Sequence, residues 1–152
     1  MGLRRNRILL CCALVACAGT GTVSADGAAL YATHCVACHQ PDGNGAEGLA
    51  PPLAGVLDRL AGSAGGREYL AQVLVSGMVG KITSRGVKYD GNMPAAALSD
   101  EEMSLVMSYV LRTFNASTQD MPATLFAKAR GKPTRPAAVR KQRERILAEL
   151  GE

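Results

Sequence analysis

The feature that most constrains this chain is a C-x-x-C-H motif made by Cys35, Cys38 and His39. Two cysteines at this spacing can form a disulfide or a redox pair, supply half of a zinc site, or attach a c-type haem, and the histidine that follows favours haem attachment. Positions three apart lie on the same side of a helical end, so both sulfurs can reach one edge of a porphyrin. The motif therefore predicts a fold arranged around a flat cofactor.

The rest of the sequence gives the other interpretations less support. A structural zinc site needs four ligands, and no second close pair of Cys or His completes one. A thioredoxin-like pair expects a βαβ setting, which the sequence lacks. The aromatic content is 4%, with no Trp, which is low for a domain that must bury a core, and a haem would fill part of that volume. His34, the only other histidine, leaves the same helix end as His39 and is predicted to be a surface residue.

The first 25 residues have the organisation of an export signal. Arginines precede an apolar stretch over 8–18 that is too short to span a bilayer, and small residues occupy 23–25. Residues 1–25 are therefore predicted to be a signal peptide. The alternative is a lipoprotein box that ends at Cys17, with cleavage before that residue and a lipid anchor on it. Either interpretation predicts a periplasmic protein, anchored to the membrane in the second.

Charge divides the remaining chain into an acidic body and a basic tail. Residues 26–127 carry six Lys or Arg against ten Asp or Glu, whereas 128–152 carry eight against three. An acidic body argues against nucleic-acid binding. Residues 116–135 are predicted to be a polar linker, and 136–152 to be either a basic amphipathic helix or a disordered tail, with the disordered form favoured. As a helix, this tail could bind an acidic partner or an anionic membrane surface.

Helical signals dominate the body. Asp26 can cap a helix that runs to Cys35, apolar spacing predicts a second helix over 67–78, and a capping box at Ser99 starts a third. Stretches rich in Gly and Pro separate them and predict long loops, including 81–98. The expected fold is all-α, with three to five helices and long loops in one domain over 26–115.

One methionine lies in a setting that suits an iron ligand. Met93 is flanked by Gly91 and Pro94 in a predicted loop, where a Met side chain has little reason to be buried. Met103 and Met107 fall on the apolar stripe of the last helix and are predicted to be core residues. A thioether ligand raises the reduction potential of haem iron, so Met93 is the candidate distal ligand opposite His39.

These residues together resemble the class I cytochromes c, especially the bacterial haem domains found alone or attached to periplasmic dehydrogenases and oxidases. The resemblance covers residues 27 to about 115. It implies a cytochrome c fold around one covalent haem c with its iron. It also implies that the Pro51 carbonyl accepts a hydrogen bond from the axial His39 ring, that Tyr89 begins the methionine loop as a haem contact, and that Gly27 and Tyr31 pack across the last helix near Tyr109.

The ligand pair decides the expected function. An iron held by His39 and Met93 has no open position, so single-electron transfer rather than enzymatic catalysis is its natural activity. The expected partners are a periplasmic dehydrogenase or other donor, and an oxidase or cytochrome of a respiratory chain as acceptor. The alternative function is a haem enzyme or gas sensor with a labile distal ligand.

Overall fold

The computed structural model describes residues 26–151, so the predicted signal peptide and Cys17 lie outside the described residues. Within that range the chain forms seven helices and one hairpin. In chain order they are α1 (Gly27–His34), α2 (Val36–His39), α3 (Asp58–Gly62), α4 (Ala64–Ser76), β1 (Met78–Ser84), β2 (Val87–Met93), α5 (Asp100–Asn115), α6 (Ala123–Arg130) and α7 (Pro136–Glu149). None of the helices within 26–151 is long and apolar enough to cross a membrane.

Helices α1 and α5 form the central pair. Asp26 caps α1 by accepting the Ala28 N–H, and Ser99 caps α5 in a reciprocal capping box with Glu102. The helices touch at Gly27, where an added Cβ would lie 2.3 Å from the Leu105 carbonyl oxygen. Only glycine permits this approach, so the α1–α5 crossing depends on that residue.

Three aromatic rings complete the α1–α5 contact. The Tyr31 ring lies 5.6 Å from that of Tyr109 and 5.1 Å from that of Phe114, with the second pair edge to face. Tyr31 is almost fully buried. Three of the six aromatic residues thus meet where α1 contacts α5, and their edge-to-face pairs add to the free energy gained by burial.

The prediction of an all-α fold was wrong for residues 78–93. Strands β1 and β2 pair antiparallel, from Met78 opposite Met93 to Ser84 opposite Val87. The two-residue turn is made by Arg85 and Gly86, both with positive φ, as tight hairpin turns require. The alternation was hard to recognise because glycines interrupt both strands, and Gly86 marks the turn rather than an irregular loop.

The segment after α5 also differs from the prediction. The expected linker over 116–135 contains α6, whose Phe126 is fully buried, and α6 packs on α4 and α5. Helix α7 buries Val139 and Ile146, seven residues apart, against α4 and β1. That spacing aligns the two side chains on one helix face, so the basic segment covers part of the fold rather than extending from it. Residues 26–115 contain five of the seven helices, within the three to five expected there, and α6 and α7 are additional.

Candidate functional site

The two motif cysteines belong to the short helix α2: Cys35 is the residue that precedes it, and Cys38 lies within it. Helix α1 ends at His34, and Cys35 separates it from α2. The Cys35 carbonyl accepts the His39 N–H of α2 at 2.9 Å. Both thiols are free, with Cys35 half-buried and Cys38 exposed. Burial, with a smaller contribution from the neighbouring Cys38, raises the pKa of the Cys35 thiol to about 11. His34 is exposed at the end of α1, so it lies on the surface.

The His39 ring is buried and fixed by one hydrogen bond. Its Nδ1 lies 3.1 Å from the Pro51 carbonyl oxygen, so Nδ1–H donates and Nε2 keeps its lone pair. Burial lowers the pKa of His39, and the Pro51 bond partly opposes this. The ring is therefore held as a neutral imidazole with Nε2 available, which is the form that binds metals.

Loop residues bring Pro51 to the histidine. Gly45 has φ +68°, and a Cβ there would lie 2.3 Å from the Ala50 carbonyl and 2.7 Å from that of Pro51. The Gly45 N–H also donates to the His39 carbonyl at 2.9 Å. Gly45 thus permits a close backbone approach on which the position of Pro51 depends. The sequence showed a glycine-rich turn here but not this contact.

Tyr31 fixes the chain directly after His39. Its hydroxyl donates to the Gln40 carbonyl at 2.7 Å, where Gln40 has a φ of +63°. Burial is the main cause that raises the pKa of Tyr31 to about 12. The hydroxyl therefore stays protonated and holds the turn through which the chain leaves α2.

Met93 is the last residue of β2 and is half-buried against the core. It stands opposite Met78, and directly opposed residues of an antiparallel pair present their side chains to the same face. The Tyr69 hydroxyl lies 3.6 Å from the Met78 sulfur. Tyr89, on the same strand as Met93, is buried opposite Ile82.

The other methionines belong to the core. Met103 and Met107 are buried on α5, at the positions where the apolar stripe predicts packing. Met121 is also fully buried, although its local sequence is polar. The Ser104 hydroxyl donates to the Met121 carbonyl at 2.8 Å and ties the chain after α5 back to that helix. Helix α6 then continues from this anchored position.

Asn115 is a structural residue that the sequence did not single out. Its Oδ1 accepts the N–H groups of Val56 and Leu57 at 3.0 and 2.9 Å, while its Nδ2 donates to the Val110 carbonyl at 3.1 Å. These bonds join the segment after Pro51 to the end of α5. An Asn at a helix end is too common a signal to predict such a contact 58 residues away.

The residues present fit a covalently bound haem. They supply two free thiols on one short helix, a neutral buried imidazole with an open nitrogen, and a half-buried thioether on the hairpin. Among residues 26–151, no group of three or more His, Cys, Asp or Glu side chains is arranged to hold a metal ion. Paired thiols followed by a histidine, together with a thioether, are the protein groups that hold haem c.

Comparison with known proteins decides the family. The family model for cytochrome c matches residues 24–114. The chain belongs to the cytochrome c family. This confirms the resemblance seen in the motifs, and membership implies a covalent haem c with its iron.

Two relatives from Thermus thermophilus are both named cytochrome c-552. The first is 44% identical over 93 residues, which cover 60% of this chain and 62% of the relative. The second is 46% identical over 87 residues, which cover 57% of this chain and 66% of the relative. The chain thus matches less than two thirds of the length of these cytochrome c-552 relatives.

Proposed function

We propose that this member of the cytochrome c family is a monohaem electron carrier. Cys35 and Cys38 would attach the haem through thioether bonds, His39 would bind the iron on one side, and Met93 would bind it on the other. The single observation that carries the proposal is the His39–Pro51 hydrogen bond, because it fixes the imidazole beside two free thiols with Nε2 open.

The bound haem would supply a one-electron redox couple. The chain contributes orientation and exclusion of water: Pro51 fixes the His39 ring, and the histidine is only 7% exposed. A hydrogen bond of this kind also increases the basicity of the ligating imidazole. With Met93 on the opposite side, no coordination position is left open, which favours electron transfer over substrate binding at the iron.

Location and partners follow from the predicted leader. Export to the periplasm, free or anchored through Cys17, would place the protein between a dehydrogenase or other donor and a respiratory oxidase or cytochrome. Interfaces of this kind are small and short-lived, which suits rapid exchange of partners. Membrane retention of a Cys17→Ala variant, compared with the parent, would separate the anchored form from the free one.

The ligand assignment can be tested with the two methionines of the hairpin. The protein is matured in cells that attach haem, and its mass is measured after denaturation, where a retained haem shows the covalent link. Met93→Ala should then remove the methionine-to-ferric-iron charge-transfer band. Met78→Ala, the matched control on the opposite strand, should keep it.

Three results would contradict the proposal. Loss of haem on denaturation would reject the roles of Cys35 and Cys38. An unchanged band in Met93→Ala would reject Met93 as the ligand. If the parent protein also bound added ligands without losing a band, the alternative of a haem enzyme or gas sensor would replace electron transfer.

A further inference from the structure

We propose that helix α7 positions the methionine side of the site, and that Arg143 is the residue through which it acts. This inference rests on the proposed function, because it takes Met93 to be the distal ligand. It goes beyond it by assigning a role to a helix that lies outside residues 24–114, the part matched by the family model.

Arg143 links α7 to the hairpin and to α4 at the same time. Its guanidinium donates to the Thr83 carbonyl in β1 at 3.0 Å. The same guanidinium is close enough to the Tyr69 hydroxyl of α4 to interact with it electrostatically, which partly opposes the larger effect of burial that raises the pKa of Tyr69. An arginine has donors in a fixed fork, so one side chain can hold two acceptors on different elements.

Tyr69 extends this link to the methionine pair. The residue is only 4% exposed, and its hydroxyl lies 3.6 Å from the Met78 sulfur. Met78 in turn stands directly opposite Met93 across the two strands. A line of contacts therefore runs from Arg143 through Tyr69 and Met78 to the strand end that carries Met93.

Two close approaches hold α7 in register with these contacts. The Arg140 stem lies over Gly80 in β1, where an added Cβ would be 3.2 Å from the Arg140 Cδ. The Ile146 side chain lies over Gly65 near the start of α4, where a Cβ would be 2.8 Å from its terminal methyl. The helix therefore sits on glycines of both elements that Arg143 joins.

The hairpin needs this support because a two-stranded sheet is marginally stable by itself in water. Near its turn, Arg85 donates to the Ala54 carbonyl and Arg143 donates to the Thr83 carbonyl, while the open end is linked to α7 through Tyr69 and Met78. Met93 is at that open end. Local opening of the hairpin would move the ligand away from the iron, and Arg143 opposes such opening.

The test measures how easily an added ligand displaces Met93. Imidazole is mixed with the ferric, haem-loaded protein, and the loss of the charge-transfer band is followed over time. Arg143→Leu should raise the binding rate about tenfold, because a hydrogen bond from a charged group contributes to stability at that scale. Arg145→Leu is the matched control, two residues away on the exposed face of α7, and should leave the rate unchanged.

A second variant and a second readout separate positioning from general stability. Tyr69→Phe, which removes only the hydroxyl, should also raise the rate, and both variants should speed amide hydrogen exchange in the hairpin more than in α1. Phe126→Leu lowers global stability from a site on α6 and should not change the imidazole rate when the protein remains folded.

The outcomes decide the two claims independently. Equal acceleration by Arg143→Leu and Phe126→Leu, or by Arg143→Leu and Arg145→Leu, would overturn the positioning role. A parent protein without the methionine band would contradict the proposed ligand set instead. In that case the hydrogen-exchange comparison still decides whether Arg143 holds the hairpin.

Discussion

The histidine side and the methionine side of the site are stabilised by contacts of different range. On the histidine side, the bonds from Tyr31 to Gln40 and from His39 to Pro51 join residues nine and twelve positions apart. On the methionine side, the bonds from Arg85 to Ala54 and from Arg143 to Thr83 join residues 31 and 60 positions apart. The bonds that fix the His39 ring and the turn after it are therefore local in sequence, whereas those that hold the hairpin with Met93 come from distant segments.

The largest effect is expected where α1 meets α5, on the histidine side. Gly27→Val should lower the free energy of unfolding by about 3 kcal/mol, because its Cβ would be forced against a backbone carbonyl that cannot move aside. Denaturant unfolding measures the change. Gly62→Ala in α3, with open space around it, is the control and should not destabilise the protein. Equal midpoints for the parent and Gly27→Val would show that the crossing is not tight.

Val139→Ala in α7 weakens the distant support of the methionine side. The side chain is fully buried, so the free energy of unfolding should fall by about 2 kcal/mol because contacts are lost and a cavity is left. Hydrogen exchange should increase in the hairpin more than in α1. Uniform acceleration across both regions would contradict a separate dependence of the hairpin on α7. Ala137→Gly, on the exposed face of the same helix, controls for changes in helix propensity.

Asn115→Ala tests a long-range anchor on the histidine side. Two partly buried N–H groups would lose their acceptor, which should lower the free energy of unfolding by about 1.5 kcal/mol. Asn92→Ala, at an exposed position in β2, is the control. Thermal and denaturant unfolding report the difference. If both variants unfold alike, the Val56 and Leu57 amides find other partners, and this side is more local than the contacts suggest.

Gly86→Ala strains the hairpin turn without creating a clash. The residue has φ +77° and no atom within 4 Å of an added Cβ, so the expected loss of about 1 kcal/mol is conformational alone. Gly91→Ala is the matched control on β2, because its Cβ would meet only the Leu49 carbonyl at 3.8 Å. Hydrogen exchange of the hairpin amides should respond, and that of α1 should not. A response in α1 would remove the distinction between the two sides.

The smallest effect concerns the ion pair that joins α4 to α6. Lys128 lies 2.7 Å from Glu68, and this contact lowers the pKa of the Glu68 carboxyl. Its stabilising contribution is therefore present above the unfolded pKa and is lost as the pH falls through the folded pKa. Because the pair is exposed, Glu68→Gln should lower the free energy of unfolding by only about 0.5 kcal/mol at neutral pH. In acid the variant and the parent should be equally stable. A difference that persists in acid would assign the effect to packing.

The sequence predicts well those parts of the fold whose stabilising contacts lie close together in the chain. Asp26 and Ser99 are capping residues whose partners lie within three positions, so both helix starts follow from short patterns. The C-x-x-C-H motif likewise predicts a helical end that presents both cysteines and His39, although the structure breaks the helix at Cys35 and begins α2 at Val36. Family membership confirmed the cofactor that the motif predicted, while the individual ligand roles remain predictions.

The hairpin and helix α7 could not be predicted, because they are stabilised by contacts with segments distant in sequence. The strands of the hairpin have Gly80 and Gly91 where an alternating pattern would show side chains, and Gly80 leaves room for Arg140. Helix α7 has a polar average composition and is stable only because Val139 and Ile146 meet a surface formed by earlier segments. Such complementarity can be recognised only when the three-dimensional positions of both surfaces are known.

The contact between Arg143 and the Thr83 carbonyl has a consequence for association between copies of the protein. A two-stranded sheet has an unpaired edge on each side, and such an edge can template the addition of a strand from another chain. The guanidinium occupies a carbonyl on the outer edge of β1, and the helix behind it covers that edge. The last helix therefore also blocks intermolecular strand pairing at the hairpin.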